Sequence, residues 1–288
     1  MKTKIALLAF VLYLMAVSCS KQESEDNDSK LITVEETIIE SKIDAATDDV
    51  AKTIDSQLTE QEGFSARDGF GAQDFLAPCV IITRVPEFGV TLTPGTLVTK
   101  TINFGTVGCV MPNGNILKGK IIITFTFNPL ATSHTINYTF DNFYHNATKF
   151  VGNRSITRAM TVATATSPTH PIVIMNLDMT ITLANGNVIQ RVGTRTREII
   201  AGFATPILVD NVFKITGNWT TTMSNATVKT STITTPLIIR TNCNNIVEGI
   251  ITFVRNGISA TLDFGNGSCD NQAVFTKNGV STIITLGN

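Results

Sequence analysis

Charge is what this chain has least of. Only 16% of its 288 residues are Asp, Glu, Lys or Arg, against an ordinary ~25%. The formal net charge is −1, which excludes a uniformly basic nucleic-acid binder; no nucleic-acid partner is expected. Aromatic platforms for stacking on sugars are scarce, with one Trp and three Tyr. The three histidines, His134, His145 and His170, lie far apart and form no HExxH or HxH pattern, so zinc-type spacing is lacking. GxSxG, Walker and GxGxxG motifs are absent too. No catalytic residue, metal or cofactor is expected. Nor does any continuous apolar run reach the ~18 residues of a membrane-spanning helix.

Apolar content, by contrast, is an ordinary 43%, which excludes global disorder. The aliphatic residues and abundant Thr favour a pleated, half-buried surface. At the N-terminus, Lys2 and Lys4 precede an uncharged apolar stretch over residues 5–17. That stretch is too short to span a bilayer and fits the apolar segment of a signal peptide, assigned to residues 1–18. It ends Ala16-Val17-Ser18-Cys19, which resembles the lipobox of bacterial lipoproteins, although Ala16 stands where Leu is commonest. The resemblance implies cleavage before Cys19 and lipidation of Cys19 with diacylglycerol and an N-acyl chain such as palmitate. Two or three chains give a stable anchor, whereas one alone is marginal. The alternative is an ordinary signal peptide with Cys19 in a disulfide.

Residues 19–33 then read as a lipidated, flexible, acidic tether that buries no apolar area. The stretch Ser20-Lys21-Gln22-Glu23-Ser24-Glu25-Asp26 looks like the acidic surface-export signal of Bacteroidetes lipoproteins, and equally like a plain solvated spacer. Over residues 34–62, Ile39, Ile43, Ala46, Val50, Ile54 and Leu58 recur at spacings of three and four, with acids between them. That period predicts one acidic amphipathic helix. Its narrow apolar stripe is expected to pack on the following domain or on a partner helix. Residues 63–78 read as a linker.

From Cys79 onward the pattern is that of strands. Residues 120–127 read KIIITFTF and residues 172–183 read IVIMNLDMTITL. Asn-Gly pairs begin at positions 113, 185, 256, 266 and 278, and Asn-Gly between β-type segments is the strongest short hairpin signal. Roughly twelve to fourteen strands are expected from period and turns. The fold class is therefore all-β, an antiparallel multi-stranded sandwich-like domain over residues 79–288, preceded by the helix.

Several segments carry a family resemblance: INFGTVGCVMPNGNILKGKIIITF (residues 102–125), TFDNFYHNATKFVGNRSIT (139–157), GTRTREI (193–199), ITTPL (233–237) and LDFGNGSCDNQAV (262–274). Together they are similar to a family of flavobacterial (Bacteroidetes) surface lipoproteins with a paired [IL][ND]FG..[GS]C signature. The resemblance implies an exported, lipidated β-domain in the outer membrane of a Gram-negative bacterium, facing the cell exterior where the export signal operates. It transfers no activity and no binding residues.

With Cys19 set aside, Cys79, Cys109, Cys243 and Cys269 remain, an even number that reads as a disulfide framework. Three connectivities are open. Chain proximity and the repeated motif favour Cys79 with Cys109 and Cys243 with Cys269; free thiols and a metal site are the rivals.

The clearest binding candidates are arginines. Arg191, Arg195 and Arg197 share one face of a strand, and Arg154 and Arg158 share another. Such stripes suit anionic groups of a polysaccharide or envelope component. The alternatives are a solvated sheet face or a dock for the acidic helix. The last agrees with the distribution of charge: residues 20–74 hold 15 acids and 5 bases, a net −10, while residues 75–288 hold 8 acids and 15 bases, a net +7. A glycosidase needs two carboxylates at matched separation; nothing singles out a pair among the eight acids of the β-domain, although Asp178 and Glu198 could face each other across the Asn185-Gly186 hairpin. The functional expectation is a lipid-anchored envelope or surface protein with a non-enzymatic binding or structural role. The alternative is a surface hydrolase or a polysaccharide-processing accessory protein.

Overall fold

The computed structural model describes residues 32–61, 76–165, 167–203, 210–243 and 245–286. The signal peptide, Cys19, nearly all of the tether and most of the linker lie outside these residues. Helix α1 spans Val34–Gln61. Thr33 caps it, its hydroxyl accepting from the backbone N–H of Glu36 at 3.2 Å, a Thr-x-x-Glu start. Among the described residues no helix is long and apolar enough to cross a membrane.

Fifteen strands follow among the described residues: β1 Ile81–Val85, β2 Leu97–Asn103, β3 Cys109–Val110, β4 Ile116–Thr126, β5 Ser133–His145, β6 Thr148–Val151, β7 Asn153–Met160 and β8 Pro171–Thr182. The second half comprises β9 Val188–Ala201, β10 Val212–Met223, β11 Val228–Arg240, β12 Glu248–Arg255, β13 Ile258–Asn266, β14 Gln272–Lys277 and β15 Val280–Thr285. All belong to one antiparallel sheet that runs almost in chain order from β1 to β15. Its main irregularity is in the middle, where β6 and β7 share the place between β5 and β8. Among the described residues the fold is thus an antiparallel all-β domain preceded by one helix, and the layer packed on the sheet is α1.

Local chemistry builds this meander. Asn256-Gly257 and Asn278-Gly279 form two-residue turns with φ of 50°, 77°, 51° and 77°, the left-handed pair that matches strand twist. Period 2 then gives many of the strands an apolar side. In β8 it is Val173, Met175, Leu177, Met179 and Ile181, and in β4 it is Ile121, Ile123 and Phe125. All of these meet one core with Ile43, Val50, Ile54 and Leu58 of α1.

The sheet curls lengthwise around α1. Arg84 of β1 donates to the Gln61 side chain at 3.0 Å, while Lys277 of β14 donates to the carbonyl of Ile32 at 3.1 Å. Contacts from both ends of the strand order explain why only Glu35, Lys42 and Ala45 of α1 are exposed rather than buried or half-buried. The helix therefore has more than the expected apolar stripe. Glu40 and Asp44 are 2% and 1% exposed, on a second buried face that only paired charges can occupy.

Candidate functional site

β9 turns Arg191, Gly193, Arg195 and Arg197 to one side, as period 2 requires. That side is the concave one. Arg191 and Arg195 are fully buried, and the anions they hold are carboxylates of α1. Arg191 pairs with Glu40 and with Asp44. Arg195 pairs with Asp44 at 2.9 Å and Asp48 at 3.0 Å, and Arg197 with Asp55 at 3.3 Å. The neighbouring strands extend the row. Lys229 of β11 lies 3.1 Å from both Glu36 and Glu40, Arg255 of β12 grips Glu36, and Lys100 of β2 reaches Glu60 at 3.2 Å.

Trp219 of β10 stands opposite Gly193 in the ladder. A Cβ at Gly193 would lie 2.3 Å from the Asn218 carbonyl oxygen and 2.5 Å from the Trp219 Cα, so glycine allows the close approach of the β10 backbone. The guanidinium carbons of Arg191 and Arg195 sit 4.9 and 5.4 Å from the indole ring, a cation–π geometry. The indole N–H donates to Glu40 at 3.4 Å.

Burial pushes the Glu40 carboxyl up, but the charges of Arg191 and Lys229 and the hydrogen bonds of Lys229 and Trp219 outweigh it and hold its pKa at about 2. Asp48 is the contrary case: burial pushes its carboxyl above the usual range despite Arg195, and Asp44 adds to the rise. Burial also works against the charged form of Arg191, yet Glu40 and Asp44 raise its pKa further.

The second arginine pair divides. Arg158 joins the helix, donating to the Thr59 hydroxyl at 2.6 Å and lying 3.7 Å from Asp55. Arg154 does not reach it. Its Nη2 donates to the carbonyl of Val151 at 2.7 Å, its Cζ lies 4.6 Å from the Phe140 ring, and burial lowers its pKa. The cysteines form Cys79–Cys109 and Cys243–Cys269 disulfides, 30 and 26 residues apart.

Two groupings resemble catalytic chemistry. Asp178 stands opposite Val192 and Glu198 opposite Ile172, so Glu198 lies at one end of the β8–β9 ladder and Asp178 near its middle, and the two do not face each other. Ser167 Oγ lies 3.3 Å from His170 Nδ1, and His170 Nε2 lies 2.9 Å from Glu198. However, Nδ1 is also 2.7 Å from the Pro168 carbonyl, which can only accept. The Nδ1 proton goes there, leaving that nitrogen no lone pair for a serine proton. Among the described residues, no group of three or more His, Cys, Asp or Glu is placed to hold a metal.

The convex face mixes exposed aliphatic side chains, among them Ile174, Val192 and Val254, with a polar row. One row across it holds only Thr, Asn and Ser, beginning Thr99–Thr124–Asn137–Ser155–Asn176–Thr194. It continues through Asn218, Thr232, Thr252, Thr261 and Thr276 to Ser281. Over β5, β7 and β8 it crosses a depression of about 460 Å³.

The concave site contains residues that sequence reasoning did not single out: Lys229, Arg255, Lys100, Trp219 and the acids of α1. The available signal was the four-residue spacing of Glu36, Glu40, Asp44 and Asp48, which stacks four acids on one helix face. Comparison with protein-family models, curated proteins and solved structures finds no match to this chain.

Proposed function

We propose that the protein is a lipid-anchored envelope protein with a non-enzymatic binding role, held through Cys19 in the outer membrane and meeting its partner with the convex face of the sheet. One observation carries this reading: the concave face, where an open curved sheet would take a ligand, is filled by α1, and its cations are committed to helix carboxylates. The surface left for a partner is the outer one. The lipobox-like Ala16-Val17-Ser18-Cys19, the acidic segment after it and the resemblance to flavobacterial surface lipoproteins support the anchor and outward display.

The test has three arms. A Cys19→Ala variant loses lipid labelling and membrane retention. Protease applied to intact cells removes the β-domain, and protection until the outer membrane is permeabilised would refute outward display. The purified protein shows no turnover of glycan or ester substrates; saturable turnover abolished by a single side-chain substitution would favour the hydrolase reading instead.

A further inference from the structure

The depression on the convex face has the makings of a site. It lies where the partner of β8 changes: β7 pairs with β8 as far as Asn176, and β6 takes over at Thr180. Gly152, with φ of 127°, forms the step between them. A Cβ there would stand 2.7 Å from the Asp178 carbonyl oxygen, so the step needs glycine. The volume of about 460 Å³ falls within the roughly 300–1,000 Å³ of small-molecule sites. Asn137 and Thr139 of β5, Asn153 and Ser155 of β7, and Asn176 and Asp178 of β8 surround it.

Arg154 and Tyr138 line the same depression. Arg154 is 5% exposed. It shares the buried side of β7 with Ile156 and is held by the Val151 carbonyl and by Tyr138, so the groups open to a ligand are those of the outward-facing residues.

The lining selects a ligand class. Amides, hydroxyls and a carboxylate all pair with an alcohol, which both donates and accepts. The rim carboxylate of Asp178 offsets the charge of Arg154 and would repel an anion. The depression also lies on the Thr/Asn/Ser row, whose members recur at the strand spacing of roughly 4.8 Å, close to the advance of one sugar ring along an extended chain. We propose that this face binds a neutral, extended oligosaccharide, with one ring in the depression and its neighbours hydrogen-bonded along the row. This rests on the non-enzymatic binding reading and names its ligand class.

The experiment is calorimetric titration of the detergent-solubilised full-length protein with maltohexaose, cellohexaose, mannohexaose and chitohexaose. Polygalacturonate and heparin serve as anionic probes. Removal of buried Arg154 would test the fold as well as the site, so the exposed Asn176 and Asp178 carry the test. At least one neutral hexasaccharide binds, and more tightly than its disaccharide. Asn176→Ala and Asp178→Ala each weaken it about tenfold, the loss of one good hydrogen bond, with unchanged melting temperature. Thr194→Val, further along the row, weakens it less. Binding of the anionic probes alone, of no saccharide, or with indifference to both alanine variants would overturn the inference while leaving the non-enzymatic reading standing. Shortening of the hexasaccharide during titration would overturn that reading and this one with it.

Discussion

Replacing Glu40 by Gln removes one charge from the middle of the concave row while keeping nearly the same shape. Its carboxyl is held at about 2 in the folded protein against an ordinary 4.5. At 1.36 kcal/mol per pKa unit, that difference corresponds to about 3 kcal/mol of stability. Breaking a buried pair from one side costs roughly 3–5 kcal/mol. The lower end applies here, because Arg191 keeps Asp44 and Lys229 keeps Glu36. The folded pKa is depressed, so this contribution is fully present above pH 4.5 and is lost as pH falls towards 2. Urea denaturation followed by Trp219 fluorescence at a series of pH values measures it. At pH 7 the variant should lose about 3 kcal/mol, a midpoint shift of about 1 M or more in urea. The gap to the parent protein should close in acid. A loss under about 1 kcal/mol at pH 7, or a gap that stays constant with pH, would refute the reasoning.

Asp48→Asn should behave oppositely. Its folded pKa is raised, so the native carboxylate loses stability as pH rises through it, and the variant should cost at most about 1 kcal/mol at pH 7 by the same denaturation assay. Gly193→Ala drives a methyl group against Trp219 and should destabilise by about 1–3 kcal/mol, with a shift in indole emission as the local readout. A peptide of residues 32–61 should be largely unfolded at pH 7 by circular dichroism. Its helicity should rise as acid relieves the repulsion among Glu36, Glu40, Asp44 and Asp48.

Much of the sheet was legible because its determinants are local. Alternation marked β4 and β8, and four of the five Asn-Gly pairs lie in hairpin turns. The exception, Asn266-Gly267, ends β13 and leads into the disulfide loop at Cys269. The face of Arg191, Arg195 and Arg197 could be read from period 2, but its occupant could not, since Asp44, Asp48 and Asp55 lie 142 to 147 residues away in the chain. Lys229, Lys100 and Arg255 were harder still. Each is an isolated base in its own strand, indistinguishable from a solvated one until the registers align it with its neighbours. Division of the chain into a net −10 and a net +7 part pointed to contact between them without naming the contacts, because net charge carries no register.

The order of the elements has a consequence for how the molecule comes into being. Leaving a ribosome or a translocation channel N-terminus first, the chain presents its acidic segment before any strand that neutralises it. Arg191 follows Asp44 by 147 residues, Arg255 follows Glu36 by 219, and Lys277 follows Ile32 by 245. Such long-range closures are slow, since chain entropy is lost before the contacts form. The helix, synthesised ahead of every described strand, is thus among the last elements to take its native place, and a chain cut short before β12 would carry a helix segment with no complete cradle to enter.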